Sequence, residues 1–440
     1  MKKKLIMSIL FLAVYCRLFG TEITLEKYIK LVEKNSKELM NAAKDVEMAG
    51  ATEKAAKSQA YPLIGAQTGY TRNLTDIEQS YPVAVDPSGS GMLIYKDIDT
   101  NYDNEYSFGI SLTQNLFNLK VFNAIKASKE YKLMSSDVFD IQHQAVITIA
   151  KKVYYQYFLL EQLLKVKINM EKNTYENYLN IKNKFENGLV SQFDLLRAEV
   201  DWKMKIPETT QAQKNLDLAG INFCNLAGIS SDETLKLACD INDYPEIPLL
   251  IPFDEVLSQR PDYKATMREL SLREINEKVA RADHYPTVKG NILYASSMMR
   301  DTDFEDYNAT VAQVGINISL PLFSGGALTA QDNKARIELE QTDIKLKQLK
   351  ENIYSEINSI YLTLKETHER IELANATIET AQKAYSIAQS SYNNGIATQL
   401  DLKDATVSLE LAKINHISAV YEYLSAYFDW QKAKGDMAFD

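Results

Sequence analysis

Two long stretches without proline constrain the fold of this chain more than any other feature. No proline occurs between Pro87 and Pro207 or after Pro321, and both stretches are rich in Ala, Leu, Ile, Lys, Glu and Gln. Most of these residue types are good helix formers. Apolar residues recur in both stretches at three- and four-residue steps, the period of an amphipathic helix. They are Val146, Ile149, Val153, Tyr157, Leu160 and Leu164 in the first stretch and Ile353, Ile357, Ile360 and Leu364 in the second.

The periodicity predicts one long helix from about Phe122 to Phe185 and another from about Leu328 to Asn393. At a rise of 1.5 Å per residue, each helix would be roughly 95–100 Å long. Such a length is far above the globular norm and is typical of coiled coils and helical barrels. Return helices are predicted from about Phe193 to Ala227 and from Leu400 to Lys434. Pro207 should kink the first return helix.

Each long helix ends in a short motif that occurs twice, as "NGLVSQFDLLRAEV" and as "NGIATQLDLKDATV". Gly188 and Gly395 suit the left-handed position that follows a helix. Ser191 and Thr398 can cap the helix that comes next. Both motifs therefore predict a tight turn between two helices.

Four segments of alternating polarity precede the long helices in two pairs. They read "YPLIGAQTGYTRN", "YSFGISLTQNLF", "YPTVKGNILYASSM" and "VAQVGINISLPLF", and they predict four strands of about 10–12 residues, a length that suits tilted membrane-spanning strands. Polar loops, Asn73–Asn104 and Arg300–Ala309, join the strands of each pair. The alternation places these apolar residues on one face: Tyr106, Phe108, Ile110, Leu112, Val288, Ile292, Tyr294, Val314, Ile316, Ile318 and Leu320.

The two halves of the chain repeat one another, since Pro62 corresponds to Pro286 and Gly228 to Gly435. Each half reads helix, strand, strand, long helix, turn, helix. The predicted domains are a signal peptide at 1–20, a first repeat at 21–229, a linker at 230–253 and a second repeat at 254–440. Four strands cannot close a sheet, and open edges are not tolerated in lipid. We therefore expect several copies of the chain to assemble.

The N-terminus, "MKKKLIMSILFLAVYCRLFG", has lysines followed by an apolar run that is too short to span a bilayer. It matches a signal peptide with cleavage near Gly20. Lipidation at Cys16 is an alternative, although the preceding Tyr15 is bulky for a lipobox. Cleavage would leave a net charge of about −14, without a basic patch for nucleic acid. Cys224 and Cys239 would remain, either as a disulfide or as two thiols.

No pattern in the chain predicts catalysis, a metal site or a cofactor. There is no Gly-rich phosphate loop, no Gly-x-Ser-x-Gly and no plausible nucleophile constellation. The histidines lack the spacing of metal ligands, and they are His143, His284, His368 and His416. Gly325 and Gly326 are best explained as a sharp turn from a strand into a helix.

Several motifs together resemble the TolC-like outer membrane factor family. They are "RPDYKA" from Arg260, "ADHYPTV" from Ala282, "SLPLFSGGALTAQ" from Ser319 and the two turn motifs. Each motif alone is weakly specific, but their order, spacing and duplication form a strong set. The resemblance covers nearly all of the mature chain.

The resemblance implies a mixed α/β membrane protein, in which a homotrimer builds one 12-stranded outer-membrane β-barrel with four strands per chain. A long periplasmic α-helical barrel continues it, with a belt of short elements, here the 230–253 segment and residues near the C-terminus. The implied function is the passive exit channel of a tripartite efflux pump or a type I secretion system. Its partners would be a periplasmic adaptor protein, an inner-membrane transporter and outer-membrane lipid, with no nucleic acid.

An alternative function is a non-channel periplasmic coiled-coil scaffold or adaptor protein. Adaptors also carry helical hairpins, but they need a lipoyl-type domain and a single hairpin. The four alternating segments and the internal duplication argue against this alternative.

The resemblance also implies that the two turns form the periplasmic entrance. An acid of the first turn, matched by Asp194, would meet a tyrosine of the second, matched by Tyr392. The family's arginine position is Ala397 here, so Lys403 or Arg197 would have to supply a basic group.

An acidic constriction is implied as well. It would comprise Asp401 and Asp404, which are three residues apart and share a helix face. In a trimer they would form rings of carboxylates that attract cations. Simpler roles stay open, because Asp194 and Asp401 can cap helices, Asp404 can be a solvated residue and Tyr392 can pack between helices.

Overall fold

A computed structural model describes residues 22–75, 77–99, 102–230, 236–301 and 305–436. The expected signal peptide and Cys16 lie outside the described residues. The chain divides into two compact units. The first comprises Met1–Val46, Met134–Met267 and Lys345–Asp440, and the second comprises Glu47–Leu133 and Arg268–Ile344.

The order of helices and strands repeats within the chain, although two helices rather than the one predicted precede the strands of each half. The first half contains α1 (Leu25–Asn35), α2 (Lys37–Ser58), β1 (Leu63–Arg72), β2 (Glu78–Val85), β3 (Leu93–Asp99), β4 (Asn104–Phe117), α3 (Leu119–Glu186) and α4 (Gln192–Ala227). The second contains α5 (Phe253–Gln259), α6 (Pro261–Arg281), a 3-10 turn (Ala282–His284), β5 (Thr287–Arg300), β6 (Tyr307–Ser319), α7 (Ala327–Asn393) and α8 (Gln399–Ala433).

The two predicted long helices and the two predicted return helices are confirmed, and their ends lie within three residues of the expected ones. Helix α3 has 68 residues and α7 has 67. Helix α4 continues through Pro207, so the expected kink stays a prediction. Gly325 and Gly326 have φ values of 62° and 84° and lie between β6 and α7, which confirms the sharp turn.

The second unit contains an antiparallel sheet with the strand order β1-β4-β5-β6. The register aligns Ile110 with Tyr294 and Ile292 with Val314, so the predicted apolar residues of successive strands share one face. This face is open in the single chain, since Val314 is 82% exposed and Ile316 is 69% exposed. The opposite face carries small and polar residues, including Gln67, Ser107, Gly109, Asn291, Ser297, Gln313 and Asn317.

The Asn73–Asn104 segment, which the sequence predicts to be a polar loop, contains the two-stranded hairpin β2–β3. The prediction is wrong here, because "DPSGSG" is a short turn that lies between two paired strands. It joins the β-prone runs "SYPVAV" and "MLIYKDI", and such runs around a short Gly-rich turn favour a hairpin.

Among its described residues the first unit has two large apolar cores and two small apolar clusters. One is formed by α7, α8, part of α3 and the 236–252 segment, and its largest fully buried side chain is that of Trp430. The other joins α1, α3 and α4, where the rings of Tyr28 and Phe223 stack with centroids 3.9 Å apart. Cys224 and Cys239 form no disulfide bond, so of the two alternatives for this described pair the structure has thiols.

The ends of the two return helices are held in equivalent ways. Gly228 and Gly435 both have positive φ, and a Cβ on either would lie 2.7 Å from atoms of Asn35 or Gln259. The Asn35 amide donates to the carbonyl of Ala227 at 2.7 Å. In the second half Arg260 donates to the carbonyl of Ala433 at 2.9 Å. The repeat therefore extends from element order to the contacts that end a helix.

Within the part of the chain that the structure describes, no helix is both long and apolar enough to cross a membrane.

Candidate functional site

The turn between α3 and α4 is built by local sequence. Gly188 has a φ of 73°, a conformation that glycine adopts without steric cost. Its amide donates to the carbonyl of Phe185, and the Leu189 amide donates to that of Lys184, both at 2.9 Å. This pair of bonds is the Schellman motif, which satisfies carbonyls at the end of a helix.

The turn between α7 and α8 has the same geometry. Gly395 has a φ of 76°. Its amide donates to the carbonyl of Tyr392 at 3.1 Å, and the Ile396 amide donates to that of Ser391 at 2.9 Å. The predicted positions of Gly188 and Gly395 are therefore confirmed.

Both return helices begin with a capping box. In α4 the Ser191 hydroxyl donates to Asp194 Oδ2 at 2.7 Å and accepts from the Asp194 amide at 3.2 Å. In α8 the Thr398 hydroxyl makes the same two bonds with Asp401, at 2.7 and 3.2 Å. Hydrogen bonds from the Thr398 hydroxyl and backbone amide hold the pKa of Asp401 below its ordinary value. Both aspartates therefore cap helices, and their role at an entrance stays a prediction.

The helices α3 and α4 form the first helical hairpin, and α7 and α8 form the second. Tyr392 lies where residues of these two hairpins meet. The Lys184 ammonium lies 4.7 Å from the centroid of its ring, within the range of a cation–π contact. Burial raises the pKa of Tyr392, and the nearby Asp194 carboxylate raises it further. A direct contact between Asp194 and Tyr392 stays a prediction. Lys184, which the sequence reasoning missed, supplies a basic group beside Tyr392.

The two predicted substitutes for the absent basic group differ in their surroundings. Lys403 Nζ lies 2.6 Å from Asp201 Oδ1 on α4, so it ties the second hairpin to the first. Arg197 is half-buried on α4, and no ion pair among the described residues joins it to Asp194, Asp401 or Asp404. The side chain of Asp404 is exposed.

A cavity of about 260 Å³ lies between the two hairpins, beside the Lys403–Asp201 pair. All four helices α3, α4, α7 and α8 line it, with Thr174, Asp201, Lys205, Tyr385 and Lys403 among the lining residues.

Four charged side chains next to this cavity form a cluster in which one carboxylate is buried and the other three groups are half-buried. We name it the charge quartet: Lys167, Lys205, Glu208 and the buried Glu410. Sequence reasoning missed it. The sequence does contain a signal for one member of the quartet, Glu410. It belongs to a series at seven-residue steps, which comprises Lys403, Glu410, Ile417 and Leu424. Two charged residues thus share a helix seam with two core residues, and a charge in a seam points to a partner across the interface.

Within the described residues, no three His, Cys, Asp or Glu side chains lie together in a way that could hold a metal ion.

The chain is similar in sequence to known outer membrane and secretion proteins. The family model described as "Outer membrane efflux protein" matches residues 28–228 and 253–435. The outer membrane protein TolC of Salmonella enteritidis is 22% identical over 78% of this chain and 72% of its own length. The alkaline protease secretion protein AprF of Pseudomonas aeruginosa is 23% identical over 75% of this chain and 69% of its own.

Solved structures share the fold. The CmeC outer membrane channel of Campylobacter jejuni superimposes with a TM-score of 0.78, at 19% identity, over 93% of this chain and 85% of its own. The outer membrane protein VceC of Vibrio cholerae gives 0.74 at 18% identity over 93% and 96%. Because the family model matches most of the chain, the protein belongs to the outer membrane efflux protein family.

Proposed function

We propose that this chain forms the outer membrane exit channel of a tripartite efflux pump or a type I secretion system. It passively conducts substrates from the periplasm, or from an inner-membrane transporter, to the exterior. The observation that carries this function is the sheet β1-β4-β5-β6, whose apolar face is open in the single chain. An apolar face opposite a face of small and polar residues suits strands with lipid on one side and water on the other.

The sheet also favours a closed ring of several copies, and the family resemblance implies that there are three. Its edge strands are β1 and β6, and strand edges exposed to lipid leave backbone groups without hydrogen bonds. If β6 of one copy pairs with β1 of the next, three copies close twelve strands. We propose this arrangement, with outer-membrane lipid against the apolar face.

The sequence contains no Gly-rich phosphate loop, so in this proposal a partner supplies the energy for export. We propose a periplasmic adaptor protein and an inner-membrane transporter, as in tripartite systems. The names of relatives support both forms of export, since one is a protease secretion protein and another, from Brucella suis, is an efflux protein.

The two turns would form the periplasmic entrance. In this proposal Lys184, Tyr392 and the Lys403–Asp201 pair hold the hairpins of one copy together. Asp401 and Asp404 would face the pore and attract cations. Asp404 is the better indicator of such a role because, unlike Asp401, it is not part of a capping box.

Membrane fractionation tests the function. The full-length protein should remain with the outer membrane and migrate as an oligomer that dissociates on heating. A soluble monomer after signal cleavage would instead support the scaffold alternative.

A matched pair of substitutions on β6 sharpens this test. Ile316→Arg places a charge on the apolar face, which costs about 2–4 kcal/mol near the middle of a bilayer, so the assembled channel should decrease strongly. Gln313→Arg places the same charge on the opposite face, where water is expected, and should be tolerated. Equal losses from both variants would contradict a sheet with lipid on one side.

A further inference from the structure

The charge quartet is a closed ring that joins three helices. Lys167 of α3 lies 2.8 Å from Glu208 and 2.6 Å from Glu410. Lys205 of α4 completes the ring at 2.9 Å from Glu410 and 3.3 Å from Glu208. The Glu410 side chain, on α8, is only 4% exposed. Two positive and two negative charges balance, and each Lys contacts both carboxylates.

The quartet lies at a boundary between two kinds of contact. On the side of the quartet away from the turns, apolar residues of both hairpins pack in one core. This core includes Phe158 and Leu159 of α3 and Ile417 and Val420 of α8. On the side towards the turns lie the cavity, the Lys403–Asp201 pair and the Lys184–Tyr392 contact. No described apolar core joins the two hairpins on that side.

Helix α4 is locally weak at the same level. Pro207 lies between the quartet members Lys205 and Glu208, and its missing N–H leaves the carbonyl four residues earlier without a helical hydrogen bond. The hydroxyls of Thr209 and Thr210 bond back to the carbonyls of Lys205 and Ile206. Back-bonding of this kind often bends helices.

A charge ring built around the buried Glu410 carboxylate, with its other members half-buried, constrains geometry more than it adds stability. Desolvation offsets much of the attraction between buried charges, whereas removing one partner leaves another charge buried without compensation. The ring therefore tolerates little change in the distances between α3, α4 and α8 at this level. The sparse contacts beyond it impose a much weaker constraint.

We propose that the charge quartet and Pro207 form the pivot about which the turn-bearing ends of the two hairpins part within one copy of the chain. The quartet holds α8 against α3 and α4, Pro207 lets the end of α4 bend, and the cavity provides space for the movement. This inference rests on the proposed function, because parting of these ends would open the entrance.

The first test compares Glu410→Gln with Glu422→Gln in the assembled full-length protein. Both substitutions lie on α8, but Glu422 pairs with Arg370 of the same hairpin and is half exposed, so it is the matched control. The readout is hydrogen–deuterium exchange measured by mass spectrometry. Glu410→Gln should make the amides of 208–216 and 410–417 exchange at least about tenfold faster, since the boundary of the mobile ends moves past the quartet. Glu422→Gln should leave them unchanged.

Two further variants make the pivot separable from general destabilisation. Reversing all four charges, with Lys167→Glu, Lys205→Glu, Glu208→Lys and Glu410→Lys, preserves the pairing and should restore the exchange pattern of the unaltered protein. Pro207→Ala replaces an exposed residue and restores the missing hydrogen bond. It should therefore slow exchange of the amides of 195–206 several-fold, an effect opposite in sign.

The same exchange profile for Glu410→Gln and Glu422→Gln would overturn the pivot, as would an unchanged profile for Pro207→Ala or no rescue by the fourfold reversal. These measurements do not depend on conduction. If the proposed export function is wrong, the protein should instead be absent from the outer membrane. That result is distinguishable from an exchange pattern that contradicts the pivot.

Discussion

The turns at Gly188 and Gly395 have nearly the same backbone geometry and the same capping interactions. Both have a glycine with φ near 75°, at 73° and 76°, and both are followed by a capping box with a hydroxyl–carboxylate distance of 2.7 Å. Their neighbours differ, however. The second turn has Tyr392 under the Lys184 ammonium and Lys403 paired with Asp201, whereas Arg197 on the first hairpin makes no ion pair with the other candidate residues.

This difference separates what local sequence determines from what contacts between distant residues determine. Glycine, hydroxyl and carboxylate at fixed spacing determine the backbone of each turn, since the bonds they make are local. The contacts between hairpins depend on residues far apart in sequence. The comparison predicts equal responses when the shared residues are changed and unequal responses when the neighbours are changed.

The largest effect on the turns should come from the glycines. A Cβ at Gly188 or Gly395 would meet no atom within 4 Å, so an alanine there costs only the left-handed conformation, about 1–2 kcal/mol. Gly188→Ala and Gly395→Ala should each speed exchange of the next amide, that of Leu189 or Ile396, about tenfold. Gly50→Ala in α2 also meets open space but has no positive φ and should speed nothing. A response from only one turn would show that the two turns do not depend on their glycines in the same way.

A smaller and again equal effect is expected from the caps. Ser191→Ala and Thr398→Ala each remove an N-cap hydroxyl, which typically contributes about 1 kcal/mol. Exchange of the Asp194 or Asp401 amide should become roughly fivefold faster. Ser408→Ala is the control, because its hydroxyl lies on α8 and bonds the Asp404 carbonyl without capping. Caps that respond by very different amounts would show that the surroundings, rather than local sequence, determine these turns.

Acid should weaken the second cap by less than Thr398→Ala does. The pKa of Asp401 is lowered in the folded chain from its ordinary 3.8, so its contribution to stability is present above pH 3.8 and is lost as the pH falls through the lowered value. The Thr398 oxygen can still accept from the Asp401 amide after protonation. Exchange corrected for its intrinsic pH dependence should therefore rise only in strong acid, and Asp401→Asn should abolish the rise. A rise of the corrected exchange rate between pH 5 and pH 7 would show that a group other than Asp401 causes it.

The smallest effect is expected from the partly exposed ion pair. Lys403→Met removes the link to Asp201, and such pairs contribute about 0.2–1 kcal/mol. Amides of 399–407 should exchange about twofold faster. Lys383→Met breaks an exposed pair with Glu379 within α7 and should leave them unchanged. Equal effects would show that Lys403 does not join the hairpins.

The sequence predicted what local chemistry and periodicity determine. Helix ends at Gly188 and Gly395 were placed correctly because glycine and cap residues mark them, and the sheet face containing Ile292 and Val314 follows from alternation. The contact of Lys184 with Tyr392 could not be predicted in this way, since it depends on the relative rotation of two helices more than two hundred residues apart.

The charge quartet was missed for a related reason. Lys205 and Glu410 look like ordinary surface charges in a composition with many Lys and Glu. Only the packing of α3, α4 and α8 makes them partners. The β2–β3 hairpin was missed although its signals were local, because its proline and polar residues suggested a loop.

If the second turn borders the pore of an export channel, Asp401 and Asp404 should make that pore sensitive to multivalent cations. The most direct measurement is block by a trivalent cation, added to either side of channels in a planar bilayer. Block should occur from the side bearing the turns, and Asp401→Asn with Asp404→Asn should raise the half-blocking concentration at least about tenfold, since carboxylate rings attract cations. Asp194→Asn, which alters the equivalent cap of the first turn, should change it little. Unaltered block in the double variant, or an equal change from Asp194→Asn, would contradict this position of the second turn.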